Sequence, residues 1–167
     1  MTNIYGKRPP LVALTLEELL HKEIPLRKNL ISPWLPSQGL CMIYSTRGLG
    51  KTWMALELAY AVASSGQFLI WEAEAPEGVL YIDGEMPMTV MQERLAQIVV
   101  NSPKEIAAPL SIITPDAQEY GIPDLSTLDG QESIEKLITE QGIGGLILFE
   151  RNFKNPQQLK KLIEDLQ

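Results

Sequence analysis

The chain has 167 residues, with 14 lysines and arginines against 21 aspartates and glutamates, a net charge of −7, and 45% apolar residues. That is enough chain and apolar surface for one folded domain and not comfortably for two. It excludes bulk disorder and a general basic coat for nucleic acid, though not a local basic groove. One cysteine, Cys41, and one histidine, His21, exclude an internal disulfide framework and argue against a Cys-rich or His-rich metal site and a His-dependent triad.

No apolar run approaches the roughly 20 residues that span a bilayer. The stretch MTNIYGKRPPLVAL has no apolar signal core, so the expectation is a cytoplasmic protein with no membrane partner. Residues 1–14 read as extended, with Pro9 and Pro10 blocking a helix. Thr15 and Glu18 have capping-box spacing and start a short helix whose apolar stripe is Leu16, Leu19 and Leu20. Residues 24–39, broken by Pro25, Pro33, Pro36 and Gly39, read as a loop; its Leu30, Ile31, Trp34 and Leu35 are expected to pack on the domain. Residues 1–39 are thus a lead-in, and 40–167 the core.

The run LCMIY, residues 40–44, lacks alternation and predicts a strand buried on both faces, with Cys41 as a buried apolar residue. A helix is predicted over Thr52–Ser64, with Trp53, Leu56, Ala59, Tyr60 and Ala63 at helical spacing. Strands follow at Phe68–Trp71 and Val79–Asp83. A helix from Met88 to Val100 comes next, then a strand at Leu110–Thr114 and a helix capped by Asp129 with Glu132 three residues on. Leu146–Phe149 predicts a last strand, and Pro156 opens a C-terminal helix. This alternation predicts an α/β fold with a mostly parallel sheet, its ligands at the carboxyl ends of the strands.

The segment STRGLGKT, Ser45–Thr52, lies between the predicted strand and helix. That is the context of a phosphate-binding loop. Gly48 and Gly50 permit positive φ and close approach to phosphate oxygens, and successive amides with the helix N-terminus favour an anion. Lys51 can reach β- and γ-phosphates, and the Thr52 hydroxyl can ligate magnesium. Ser45 stands where the pattern GxxxxGK(S/T) has glycine, which predicts strain in a tight turn there. Arg47 inside the loop reads as a solvent or subunit contact in preference to a catalytic group.

The segment VLYIDGE places Asp83 and Glu85 at a strand exit. In a parallel sheet this is the edge that carries the phosphate loop, and a carboxylate there can orient or deprotonate an attacking water. Trp34 and Trp53 read as core residues, although an aromatic beside a nucleotide can stack on its base. Arg94 reads as a surface ion-pair partner. His21 suits the end of a short helix. Lys154, Lys160 and Lys161 give the last helix a solvated basic side.

Taken together, PWLP, the apolar strand, the small-xx-Gly-x-GKT loop and GVLYIDGEMP resemble the RecA-like AAA-family ATPases, in particular the plasmid RepA-type replicative helicases. The stretch IPDLSTLDGQESIEKLI resembles the family's loop and helix before the Walker B strand. The resemblance implies a P-loop NTPase with a RecA-like, mostly parallel sheet flanked by helices. It also implies ATP and Mg2+ binding, assembly into a ring, and coupling to single-stranded DNA. By position, Lys51 and Thr52 match the Walker A lysine and hydroxyl, and Ser45, Thr46, Arg47, Gly48, Leu49, Gly50 and Trp53 complete the nucleotide-binding stretch. Glu85 matches the catalytic glutamate. Glu150 stands where the Walker B aspartate is usual, as the second magnesium contact, and only 17 residues follow it. The expectation is therefore a core truncated after the Walker B strand. The alternatives are a non-catalytic nucleotide-binding or interaction module derived from such an ATPase and a small-molecule kinase; the DGEM strand end counts against the kinase.

Overall fold

Asn29–Ile31 (β1) and Leu35–Pro36 (β2) fold the proline-rich lead-in back on itself as a short antiparallel pair, where the sequence predicts only loop. This computed structural model describes residues 12–24, 27–39, 41–46, 48–124, 127–141 and 143–147. Ile31 is fully buried, and Leu30, Trp34 and Leu35 pack against the same core, which is the packing that the loop's apolar residues predict.

Ahead of this pair, Leu16–His21 forms helix α1 behind a complete capping box. The Glu18 amide donates to Thr15 Oγ1 at 3.2 Å, and the Thr15 amide donates to the Glu18 carboxylate at 2.7 Å. His21 closes the helix by donating from Nδ1 to the Glu17 carbonyl at 2.8 Å. The apolar stripe of α1 is nonetheless exposed, and the helix buries no residue.

The body is built on Lys51–Ser64 (α2) and the five-residue strand Gly78–Ile82 (β5). Between them, Gln67–Phe68 (β3) and Trp71–Glu72 (β4) make a tight hairpin. The sequence predicts one strand over Phe68–Trp71. In a single strand, residues three apart point to opposite faces, yet Phe68 and Trp71 both pack on Trp34, with ring centroids 6.5 and 5.4 Å from it. The chain therefore turns between them, through Leu69 at φ 55°.

Met88–Asn101 (α3), Leu110–Ile113 (β6), Leu128–Gln141 (α4) and Ile143–Ile147 (β7) follow. β5 lies between β6 and β7, parallel to both, with Val79 opposite Leu110 and Gly145, and Tyr81 opposite Ile112 and Ile147. Alternation along β5 assigns its faces. Val79 and Tyr81 join the core built with α2 and α3, whereas Leu80 and Ile82 meet Ile134 of α4. Helices thus cover both sides, so every residue of β5 is buried, as an unbroken apolar run requires. Thr127 rather than Asp129 caps α4, accepting from the Gly130 amide at 3.2 Å; Asp129 lies within the first turn.

The predicted strand at 40–44 does not form. Leu40 lies outside the described residues; 41–46 are irregular, and Met42 and Tyr44 are 65% and 87% exposed. Cys41, expected in the core, is exposed as well. Apolar composition favours burial, but a strand also needs partners for its amides and carbonyls, and no described strand pairs with this segment. The sheet shown is therefore a three-stranded parallel α/β core rather than a full RecA-like sheet. The predicted helix from Pro156 and residues Leu148 and Phe149 lie outside the described residues.

Candidate functional site

Four α-helices begin among the described residues, and three start on a side-chain acceptor. Thr15 serves α1, Thr127 serves α4, and Asp116 serves α3, where its Oδ2 accepts from the Met88 amide at 2.8 Å. The start of α2 has none. Its cap is Gly50, at φ 87° and ψ 18°, and the first intrahelical bond runs from the Met54 amide to the Gly50 carbonyl at 3.0 Å. The amides of Lys51, Thr52 and Trp53 precede that bond and so have no carbonyl partner within the helix. A 14-residue helix also directs the positive end of its dipole here, with no acidic residue in its first turn.

Gly48, at φ 89°, and Gly50 hold the loop in the left-handed region, and a Cβ built on either would meet no atom within 4 Å. The space beside both is open, so it is backbone conformation that demands glycine. The Lys51 ammonium curls back over this loop, donating to the Ser45 carbonyl at 2.8 Å and the Thr46 carbonyl at 3.2 Å. Ser45 is not among the positive-φ residues, so the missing first glycine brings no left-handed strain; its hydroxyl donates to the Thr46 carbonyl at 3.3 Å. Leu49 is exposed, whereas Thr52 and Trp53 are half-buried. Arg47 and Glu150 lie outside the described residues.

The acidic segment sits at the carboxyl end of β5. Asp83, 2% exposed, donates its amide to the Ile113 carbonyl at 2.9 Å. Its Oδ1 accepts from the amides of Glu85 and Met86, each at 2.7 Å. Glu85 is thereby carried on a turn clasped by its neighbour, with its side chain exposed. Arg94 of α3 stacks on the first turn of α2. Its guanidinium lies 5.3 Å over the Trp53 ring, and its charge also acts on Tyr81, two residues before Asp83. Burial pushes the Tyr81 phenol well above its ordinary range, the Asp83 carboxylate adds to this, and Arg94 opposes it. Arg94 is therefore a cation stacked on an aromatic ring. Trp53 packs against the core, as predicted.

Sequence reasoning placed the two carboxylates correctly but did not separate their roles. The signal was there: Asp and Gly at a strand exit are turn-forming residues, and an Asp side chain can bond amides two residues on. The Asp116 cap and the Arg94 stack carry no local signal, since each partner lies far along the chain.

The AAA-domain family model matches residues 7–147. The chain belongs to the AAA-domain family. Neither a curated protein nor a solved structure gives a significant match. The domain is thus of the AAA-type P-loop ATPase class. Among the described residues no His, Cys, Asp or Glu cluster could hold a metal by itself, and no helix is long and apolar enough to cross a membrane.

Proposed function

We propose that this AAA domain binds ATP with Mg2+ and hydrolyses it, as part of a RecA-like motor of the RepA-type replicative helicase class that works as a ring on single-stranded DNA. The observation that carries this reading is the uncapped start of α2, with two left-handed glycines before it and Lys51 held over the loop. Lys51 exchanges two carbonyl partners for phosphate oxygens, a gain because a charged acceptor strengthens each bond. The Thr52 hydroxyl fits a magnesium ion that takes its other ligands from phosphates and water. Magnesium, when bound, neutralises charge on the phosphates. Glu85 orients the attacking water, so the chemistry rests on positioning and electrostatics without a covalent intermediate.

Titration calorimetry with MgATP tests the binding. Tight binding by the parent, abolished in Lys51→Ala, supports the reading; no binding at millimolar nucleotide sinks it. Glu85→Gln is expected to bind nucleotide and turn it over more slowly, and equal turnover removes Glu85 from the chemistry. Stimulation by single-stranded DNA and a ring-sized mass in sedimentation check the motor assignment.

A second reading is a nucleotide-binding interaction module without turnover. The exposed apolar segment 41–44, beside the loop and unpaired with any described strand, favours it. A turnover assay with and without DNA separates the two.

A further inference from the structure

We infer that Asp83 is a positioning residue for Glu85: its buried carboxylate holds the turn that aims the glutamate into the site. The inference rests on the ATP-hydrolysis reading and extends it to a residue with no contact to nucleotide.

One carboxylate oxygen, Oδ1, accepts two amide hydrogens, from Glu85 and Met86, both at 2.7 Å. Bonds of that length to a charged acceptor are strong and directional. Asp83 is almost wholly buried, so no water competes for the oxygen, and its own amide is tied to the Ile113 carbonyl of β6. The acceptor is therefore fixed to the sheet. On the far side, Asp116 Oδ2 accepts from the Met88 amide at 2.8 Å. Glu85 thus rides on a short span anchored by one carboxylate at each end. Water could satisfy the amides of a surface turn. A buried carboxylate costs desolvation, and what it adds is a single backbone geometry for the residue it carries. Catalysis by an oriented water depends on such geometry, since displacement by about 1 Å can lower turnover about a hundredfold.

The test compares Asp83→Ala, Asp83→Asn and Asp83→Ala/Glu85→Gln with the parent and with Glu85→Gln. It uses MgATP turnover, MgATP affinity by calorimetry, circular dichroism, and hydrogen exchange at the Glu85 and Met86 amides. Asn keeps an acceptor oxygen in place and should keep both slow-exchanging amides and most of the turnover. Ala should expose both amides and lower kcat about a hundredfold with affinity unchanged. The double variant should be no slower than Glu85→Gln alone, because the two residues act as one unit. Slow exchange retained in Asp83→Ala overturns the inference. So does parental kcat in that variant, or additive losses in the double variant. If Asp83→Ala fails to fold, the Asn variant decides: loss of turnover there, with both amides still protected, overturns it. A parent that neither binds nor hydrolyses MgATP removes the ATPase reading and the role built on it, while amide exchange still reports whether Asp83 holds the turn.

Discussion

The acidic turn after β5 and the glycine loop before α2 are held in opposite ways. The turn grows out of a strand buried on both faces, and its amides are clasped by a carboxylate that water does not reach. The loop follows an exposed, unpaired segment and is closed by its own lysine through two carbonyls. The first is shaped by the fold whether or not a ligand is present. The second is shaped by contacts that a phosphate can replace. Under the proposed ATPase function, the part that positions water stays rigid while the part that grips phosphate exchanges partners.

Substitutions in the buried core and in the exposed segment that leads into the loop should differ sharply. Leu56→Ala, in the fully buried part of α2, should cost about 2–5 kcal/mol through lost burial and the cavity left behind. Met42→Ala, in the exposed segment, should stay within about 0.5 kcal/mol. Urea unfolding of both variants measures this, and equal costs would mean that residues 41–44 are packed in solution.

Gly50→Ala should come next. Nothing crowds its Cβ, so the cost is purely conformational, about 1–2 kcal/mol for holding φ near 87°. The folded loop already holds that φ, so the loss should appear as lower stability in urea unfolding.

The alkaline side gives a smaller effect. Tyr81 ionises at higher pH in the folded chain than its ordinary value of 10.0. The folded state therefore keeps a proton that the unfolded state has released. Stability should fall as pH rises above 10, by about 1.4 kcal/mol per pH unit from this group, with no contribution below that value. Unfolding midpoints of Tyr81→Phe against the parent check it; the variant should lose this part of the slope.

The smallest effect belongs to α1. Thr15→Ala removes the side-chain half of the capping box, keeps the backbone amide that donates to Glu18, and should reduce helical circular dichroism slightly, leaving the main unfolding transition unchanged, because α1 buries nothing. The backbone and side-chain bonds from Thr15 hold the Glu18 carboxyl below its ordinary range. The capping contribution is therefore present above that range and fades as pH falls through the lowered value.

Much of this molecule was legible in the chain itself. Helical spacing located α2 and α3, the capping-box pair located α1, and the apolar run at 79–83 located β5. Glycines at positions 48 and 50 marked a left-handed loop, because only residues without a Cβ enter that region freely. These are short-range facts, set by side-chain period and local sterics. Tertiary structure alone decided the rest. Pairing of Phe68 and Trp71 on Trp34 turned a predicted strand into a hairpin. Segment 41–44, as apolar as any strand here, stayed irregular because no described strand offers it backbone partners. That Asp83 is buried and Glu85 exposed likewise depended on the fold, since burial against a neighbouring strand is a property of long-range contacts that no local pattern encodes.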